Sequence, residues 1–233
     1  MCIRDRYGSC QEGSKLNKIE LFAFDLDGTL LDTAPDFYKS VNILRQKYNL
    51  DTADYDQVRT RVSQGAASLA AYALGLDKDA GEVIEFHRQE LLEIYEGCCM
   101  DETIPFEGID KVLDQLNDME IKWGIITNKP RRFAESIVDN KLNNYKTPFL
   151  ICPDDVGVRK PEPDGLLHAL KISNSSPENS IYIGDHAIDI EAGKRAKMIT
   201  GAAAYGYVPL EDSVVNWEAH HIFQNPMAIT SLI

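Results

Sequence analysis

The sequence predicts an α/β protein: a parallel β-sheet covered by helices on both faces, with an all-helical segment inserted after the first strand. Short apolar runs of strand length alternate along the chain with segments whose apolar residues recur every three or four positions. Strands that alternate with helices in this way form parallel sheets. The alternation is interrupted once, between about Thr33 and Thr103, where no run is typical of a strand. This interruption predicts a helical cap over the core.

The strands of the sheet are predicted from a series of apolar runs. The first run, Ile19–Phe24, ends at an Asp-Gly pair, which is typical of a buried strand leading into a tight turn. The later runs are Lys122–Ile126, Phe149–Cys152, Ser180–Ile183 and Thr200–Ala204.

Helices are predicted between these runs and within the inserted segment. Apolar residues share one helical face over 109–116 and again over 166–170, and Pro130 and Pro163 stand where first helical turns would begin. Three further helices are predicted in the insert: Ala34–Tyr48 with Thr33 as its N-cap, Asp56–Leu74, and Glu82–Tyr95.

These elements divide the chain into a catalytic core and a cap. The core is predicted to comprise residues 18–33 and 104–233, and the helical cap residues 34–103. Residues 1–17 are expected to form a leader outside the fold, because Met1–Arg6 resembles translated adaptor sequence.

Composition narrows the classes of function. The 233 residues carry a net charge of −13, which argues against nucleic acid or anionic membranes as partners. No apolar run approaches the roughly 18 to 20 residues that a membrane-spanning helix needs. The five cysteines lack zinc-binding spacing and are expected to be free thiols in a reducing cytoplasm. The sequence leaves open whether the chain is a monomer or a homodimer.

Polar and charged residues follow the predicted strands where the strands end. Open parallel sheets bind ligands at the carboxyl ends of their strands, so these residues are expected to meet at one edge of the sheet. They are Asp25 and Asp27 after the first strand, Thr127 and Asn128 after the second, Lys160 beyond the third, and Asp185 and Asp189 after the fourth.

These residue types suit phosphoryl transfer. A carboxylate nucleophile, Asp25, needs its repulsion from a phosphate dianion to be neutralised. Mg²⁺ bound by Asp25, Asp185 and the main-chain carbonyl of Asp27 would do this, since Mg²⁺ prefers few carboxylates together with water and substrate oxygens. Lys160 would add a second positive charge. The side chain of Asp27 is suited to protonate the leaving oxygen and then to activate water.

Phosphate binding is assigned to a set of donors around this centre. Thr127 offers a hydroxyl and main-chain N–H donors, and Asn128 offers an amide. Thr29 and Lys160 complete the predicted phosphate-binding set. Each donor would stabilise charge on the phosphoryl oxygens.

Three more residues are predicted to support the site. Gly28 permits the turn that brings Asp25 and Asp27 together. Asp189 is expected to orient metal-bound water or Lys160, and Gly184 lies directly before the last acidic motif.

The motifs, in this order, resemble the four motifs of the haloacid dehalogenase (HAD) superfamily. The resemblance covers Ile19–Ile233 and implies a HAD-like Rossmannoid core with an inserted, all-helical C1-type cap. It also implies Mg²⁺-dependent hydrolysis of phosphate monoesters through an aspartyl-phosphate intermediate. The matching residues are Asp25-Leu-Asp-Gly-Thr29, Thr127, Lys160, and Gly184-Asp185 with Asp189.

Further segments resemble the phosphoglycolate phosphatase branch of the superfamily, and especially its N-acetylmuramic acid 6-phosphate phosphatases. The resemblance implies a small phosphorylated metabolite as partner, either 2-phosphoglycolate or N-acetylmuramic acid 6-phosphate. It also implies that the glycine-containing turn Ser63–Ala66 touches the substrate. The segments are Asp32–Phe37, Ile126–Pro130, Arg132–Glu135, Leu150–Asp154, Lys160–Pro163 and Ala204–Tyr207.

Some positions depart from the family pattern or have two interpretations. His186 stands where the family has Ser or Thr, and it could contact the substrate or be a partly exposed loop residue. Ala196-Lys-Met198 replaces an Ala-Gly pair at a helix end. Lys129 could support the site or lie on the surface.

Other functions remain open at this stage. A sugar-phosphate mutase of the same superfamily also uses two aspartates, and a non-catalytic phospho-accepting protein uses Asp, Thr or Ser, and Lys. A dehalogenase is disfavoured because dehalogenation needs no metal and dehalogenases typically lack the second aspartate.

Overall fold

The protein folds around a six-stranded parallel sheet with helices on both faces, as the sequence predicts. The computed structural model describes residues 18–77 and 79–233. The strands of the main sheet lie in the order β5-β4-β1-β6-β7-β8, and every neighbouring pair is parallel. They are β1 Leu21–Phe24, β4 Lys122–Ile126, β5 Leu150–Ile151, β6 Ser180–Gly184, β7 Ile199–Ala203 and β8 His221–Phe223. Strand β8 has no counterpart among the predicted runs.

Strand β1 lies in the middle of the sheet and is buried on both faces. Phe22 and Phe24 belong to the larger apolar cluster, while Leu21 and Ala23 belong to a second cluster. Successive side chains of a strand point to opposite faces, so helices must cover both. The covering helices are α5 Ile109–Asp118, α6 Arg131–Lys141, α7 Pro153–Val156, α8 Asp164–Ser173 and α9 Ala187–Arg195.

The inserted segment is helical, and it is joined to the sheet by two short strands. Strand β2, Leu31–Asp32, pairs antiparallel with β3, Ile104–Pro105. The helices between them are α1 Ala34–Lys47, α2 Tyr55–Arg59, α3 Ala66–Leu74 and α4 Gly81–Glu96. The residue bounds of core and cap given above stay a prediction.

One predicted cap helix is wrong. The segment Asp56–Leu74 forms α2, a short 3₁₀ turn at Val62–Gln64 and then α3. Gly65 separates the last two with a φ of 91°, a conformation that L side chains rarely adopt and that a helix cannot contain. The break turns residues 63–65 toward the sheet edge, where they line the site.

Helix α1 begins at the predicted position but is capped differently. Thr33 occupies the N-cap position, yet its side chain makes no capping hydrogen bond. The first main-chain N–H groups donate instead to the buried hydroxyl of Tyr207, at 2.6 Å from Thr33 N and 2.9 Å from Ala34 N. The entrance to the cap is therefore attached to the loop after β7.

The exit from the cap is attached in a similar way. The carboxylate of Asp36, in the first turn of α1, is fully buried. It accepts hydrogen bonds from the main-chain N–H groups of Glu102 and Thr103 and from the Thr103 hydroxyl, at 2.5–3.0 Å. These hydrogen bonds hold the segment that enters the cap next to the segment that leaves it. None of the helices in the described part of the chain is long and apolar enough to cross a membrane.

Candidate active site

The turn after β1 brings two acidic residues to the edge of the sheet. The N–H of Asp25 donates to the carbonyl of Ile183, 2.8 Å away, so the nucleophile candidate is fixed by the sheet. Gly28 has a φ of 81°, and a Cβ at this position would lie 2.2 Å from Oδ2 of Asp185. Gly28 therefore supports the turn as predicted, and it also lets the turn approach the last acidic motif.

Three carboxylates converge beside this turn. Oxygens of Asp25, Asp185 and Asp189 lie within 4.8 Å of one another, and all three residues are buried. Burial raises the pKa of Asp25 to about 6, against the lowering effect of Lys160. Burial also raises the pKa of Asp185 well above its usual range. A group of this kind could hold a metal ion, because a cation would offset the cost of burying the negative charges.

Lys160 partly compensates these carboxylates. Its Nζ lies 2.9 Å from Oδ1 of Asp25 and 2.7 Å from Oδ1 of Asp189, and it donates a hydrogen bond of 2.8 Å to the Tyr182 hydroxyl. Burial by itself lowers the pKa of Lys160, but the carboxylates of Asp189 and Asp25 outweigh it and raise the pKa. Lys160 is therefore charged at any physiological pH.

The geometry of the trio leaves one buried oxygen open to a metal ion, on Asp25. Both oxygens of Asp185 accept hydrogen bonds, from Thr29, Ser63 and the N–H of Tyr207. Asp189 is engaged on both oxygens, since Oδ1 binds Lys160 and Oδ2 accepts from the N–H of His186 at 3.1 Å. Oδ1 of Asp25 is buried and accepts no well-directed hydrogen bond from the described residues, although Lys160 Nζ is near. An oxygen in this state fits the hard-cation site predicted for Asp25 and Asp185. A Cβ on Gly184 would lie 2.4 Å from the side chain of Asp189, so this glycine is needed for the close approach.

The predicted phosphate ligands are not equivalent in the structure. Thr127 lines the cavity, but its N–H donates to the carbonyl of Ile151 at 3.0 Å, which leaves the hydroxyl as its candidate donor. The Asn128 amide accepts from the N–H of Lys160 at 2.8 Å and donates to its carbonyl at 3.1 Å. Asn128 thus holds the main chain of Lys160 in place.

Thr29 lies behind the site rather than in its wall. The residue is fully buried, and its hydroxyl donates to Oδ1 of Asp185 at 3.2 Å. The sequence predicts a phosphate ligand here, but the structure shows a group that orients a carboxylate. The reason is the tight turn at Gly28, which directs Thr29 inward.

Asp27 makes contacts separate from the carboxylate trio. Its Oδ1 accepts from the Thr33 hydroxyl at 2.6 Å and from Nζ of Lys129 at 2.9 Å. Lys129 Nζ also donates to the Tyr95 hydroxyl at 2.9 Å and lies 4.8 Å from the ring centres of Phe37 and Tyr95. Lys129 is therefore a residue of the site and not of the surface.

Two further residues reach the site, Ser63 from the cap turn that the family resemblance singles out and His186, for which the sequence allows two interpretations. The hydroxyl of Ser63, in the cap turn, donates to Oδ2 of Asp185 at 2.9 Å. His186 is the N-cap of α9 and lines the cavity, half-buried, and burial lowers its pKa. A neutral imidazole at this place can both accept and donate hydrogen bonds.

The site opens into a cavity of about 440 Å³ between sheet edge and cap. Its deep end is lined by the carboxylates of Asp25, Asp27 and Asp189 and by the two lysines. Cap residues form most of the opposite wall, where the rings of Phe37 and Tyr95 stack at 4.0 Å and Phe133 meets Tyr95 edge-on at 5.5 Å. Arg88 and Arg159 also line the cavity. These rings are buried, and the cap turn with Ala66 and Ala67 adds apolar surface, so a charged deep end faces an apolar wall that suits a ligand with one anionic and one apolar part.

Comparison with known proteins agrees with this arrangement. A family model described as haloacid dehalogenase-like hydrolase matches residues 22–203. The protein therefore belongs to the haloacid dehalogenase-like hydrolases, which confirms the resemblance given by the sequence motifs.

Individual relatives show which members of the family the chain is similar to. The chain is 38% identical to the N-acetylmuramic acid 6-phosphate phosphatase of Pseudomonas aeruginosa, over 94% of this chain and 96% of that protein. It is 34% identical to a phosphoglycolate phosphatase of Xanthomonas campestris, over 87% of this chain and 91% of that protein. A crystal structure of a phosphoglycolate phosphatase from Haemophilus somnus, described as predicted, superimposes with a TM-score of 0.80 at 21% identity, covering 92% of this chain and 97% of that one. This last likeness supports the fold alone.

Proposed function

We propose that this protein is a magnesium-dependent phosphomonoesterase that acts through Asp25 and hydrolyses N-acetylmuramic acid 6-phosphate. The observation that carries the proposal is the buried cluster of Asp25, Lys160 and Asp185, of which Asp25 and Lys160 line a cavity of about 440 Å³. The names of its relatives support phosphate-ester hydrolysis.

The proposed reaction gives two aspartates separate roles. Asp25 attacks phosphorus, so that a bond forms from its carboxylate oxygen to phosphorus while the bond to the alkoxide oxygen breaks. Asp27 gives that oxygen its proton, and the alcohol leaves. Asp27 then takes a proton from water, which attacks the phosphoryl group and releases inorganic phosphate and Asp25. Asp27 is held by Thr33 and Lys129, apart from the carboxylate trio, so the two roles fall on separately bound groups.

Charge compensation at Asp25 is shared between this chain and a cation. We assign Mg²⁺ to Asp25, Asp185 and the carbonyl of Asp27, where its charge would reduce the repulsion between nucleophile and phosphate dianion. Lys160 supplies the fixed part of the compensation, because its ammonium group is buried beside Asp25. Thr29, Ser63 and the N–H of Tyr207 orient Asp185.

The substrate assignment depends on the size and the wall of the cavity. Cavities of about 300 Å³ and more accommodate drug-sized ligands, so a two-carbon acid such as 2-phosphoglycolate would leave most of this one unfilled. The cap turn offers apolar surface to a sugar ring and to the methyl groups of its substituents through Ala66 and Ala67, while the rings of Phe37, Tyr95 and Phe133 are buried behind the wall. A phosphorylated, acylated amino sugar fits both features.

A phosphate-release screen tests the proposal. We expect kcat/KM for N-acetylmuramic acid 6-phosphate to exceed that for 2-phosphoglycolate at least ~10-fold, and chelation of the metal to abolish both activities. Asp25→Asn is expected to lower phosphate release at least ~1,000-fold, because the amide is a far weaker nucleophile.

Three outcomes would contradict parts of this proposal. Preference for 2-phosphoglycolate would overturn the substrate, and undiminished hydrolysis by Asp25→Asn would overturn the mechanism. Isomerisation of a sugar phosphate without release of phosphate would identify a mutase instead.

We also infer a reducing cytoplasmic location, which cell fractionation would test. The free buried thiols of Cys98, Cys99 and Cys152 support this inference.

A further inference from the structure

The shallow part of the cavity wall contains two guanidinium groups, one from each part of the fold. Arg88 lies on helix α4 of the cap and is half-buried, and Arg159 directly precedes Lys160 and is exposed. By contrast, the two lysines of the cavity have side chains that are only 4% exposed. The cavity therefore has buried cations at its deep end and accessible cations nearer the solvent.

The buried cations are already committed to carboxylates. Lys160 pairs with Asp25 and Asp189, and Lys129 pairs with Asp27. Arg88 and Arg159 are the remaining cationic side chains in the wall among the described residues. A second anionic group on a substrate would find its counter-charge there.

Both arginines have hydrogen-bonding capacity left over. Arg88 donates from Nε and Nη2 to Glu85, one helical turn earlier, at 2.7 and 2.5 Å. This bidentate pair orients the guanidinium while its Nη1 has no partner among the described residues. Arg159 makes no side-chain hydrogen bond or ion pair within the described part of the chain. An arginine offers five N–H donors, so both groups can receive a carboxylate.

The two guanidinium groups line one cavity from two parts of the fold, Arg88 from the cap and Arg159 from the core. Hydrogen bonding from Arg88 lowers the pKa of the Glu85 carboxyl, and the charge of Arg159 lowers it further. A single carboxylate position at the cavity rim is thus influenced by both arginines. That convergence distinguishes the pair from an ordinary ion pair on a helix surface.

We propose that Arg88 and Arg159 form the subsite that binds the carboxylate of the substrate. The inference rests on the proposed function and deepens it, because N-acetylmuramic acid carries a carboxylate that N-acetylglucosamine lacks. Phosphate would bind at the deep end, the sugar would face the apolar cap turn, and the carboxylate would pair with the two guanidinium groups. Since one arginine belongs to the cap and the other to the core, the same contact would favour the closed arrangement of cap and core.

A matched pair of esters tests this subsite. Magnesium-dependent phosphate release is measured with N-acetylmuramic acid 6-phosphate and with N-acetylglucosamine 6-phosphate, which lacks the lactyl carboxylate. Each of Arg88→Gln and Arg159→Gln is expected to lower kcat/KM for the first ester ~10- to 100-fold, the usual range for a charge-assisted hydrogen bond. The second ester is expected to change less than ~3-fold.

Two control variants separate recognition from damage to the fold. Glu85→Gln weakens the same helical ion pair while keeping Arg88, and it is expected to retain the preference for the carboxylated ester. Arg195→Gln removes an exposed arginine that pairs with Glu162 and Glu191 outside the cavity, and it is expected to leave both esters unaffected. Equal losses for both esters, or no loss for either, would overturn the subsite.

Binding to the inactive protein keeps this test independent of turnover. Both esters are titrated calorimetrically into Asp25→Asn protein with Mg²⁺, with and without the arginine substitutions. A preference for the carboxylated ester that the arginine variants remove supports the subsite, even if the wild-type enzyme releases no phosphate and the proposed function fails. No preference in the Asp25→Asn protein would overturn the subsite, even if phosphate release from both esters is observed.

Discussion

The deep end and the cap side of the cavity differ in the residues that form them and in how firmly those residues are held. At the deep end, carboxylates and lysines are buried against one another at strand ends, and each is held by several contacts from the sheet or its loops. On the cap side, the cap turn and Arg88 of helix α4 form the wall, and exposed Arg159 of the core lines the same cavity. Under the proposed function, the core would carry the reaction, whereas the cap and the loop at Arg159 would select the ester.

The largest effect is expected from removing the charge that balances the deep end. Lys160→Met leaves the carboxylates of Asp25 and Asp189 buried without their ammonium partner, so we expect a loss of about 3–5 kcal/mol in the free energy of unfolding. Activity should fall to background as well. Denaturant unfolding with phosphate-release assays on the same samples measures both.

A double variant sharpens that prediction. Lys160→Met combined with Asp189→Asn removes one of the unbalanced charges and should recover part of the stability without any activity. If Lys160→Met has the same free energy of unfolding as the wild type, charge compensation does not stabilise the deep end of the cavity. The contrast drawn between the two regions is then wrong.

An intermediate loss of stability is expected at Tyr207, which attaches the entrance of the cap to the core. Tyr207→Phe removes the hydroxyl that accepts from the N–H groups of Thr33 and Ala34 and donates to Asp32. Leaving those buried donors without a partner should cost about 1–3 kcal/mol of folding free energy. Tyr205→Phe is the matched control. It removes a hydroxyl that donates one hydrogen bond to the Thr29 carbonyl, and it should cost less folding free energy. Thermal unfolding of both variants decides the order.

The cap should respond to acid through Glu90 on its helix α4. Burial by itself raises the pKa of Glu90, but hydrogen bonds from Lys47, His87 and Tyr48 outweigh it and lower the pKa to about 2. A folded-state pKa below the unfolded value of about 4.3 stabilises the fold above that pH, and the contribution is lost as pH falls toward 2. Glu90→Gln should therefore lower Tm at pH 7 and differ less from the wild type at pH 3. Glu93→Gln on the exposed face is the control, and a difference in Tm independent of pH would contradict the assignment.

The smallest effect is expected away from both regions, at the end of helix α9. Lys197 has a φ of 60°, a left-handed conformation that costs a non-glycine residue about 1 kcal/mol. Lys197→Gly should accordingly raise the free energy of unfolding by up to about 1 kcal/mol without changing kcat/KM. Lys194→Gly, inside the same helix, should lower stability by a similar amount. Destabilisation by Lys197→Gly would show that its side chain contributes more than the backbone strain removes.

Much of the sheet could be predicted because its signals are local. Strand β1 is a continuous apolar run since both faces of a central parallel strand are buried, and β4 was predicted at its observed bounds. The short strand β8, His221–Phe223, lacks such a run because only Ile222 and Phe223 are apolar and polar residues flank them on both sides. The break at Gly65 was missed because apolar residues keep a helical spacing on both sides of it.

By itself, the sequence determined the fold class and which strand ends carry Asp25, Asp27, Thr127, Lys160 and Asp185, because strand periodicity and the parallel-sheet rule depend on residues close together in the chain. Only the tertiary structure decided the partners of those residues. It paired Asp27 with Lys129, directed Thr29 and Ser63 onto Asp185, and brought Arg88 and Arg159 to one cavity. Hydrogen bonds and ion pairs depend on distances of a few ångströms between segments remote in sequence, and residue spacing along the chain does not encode those distances.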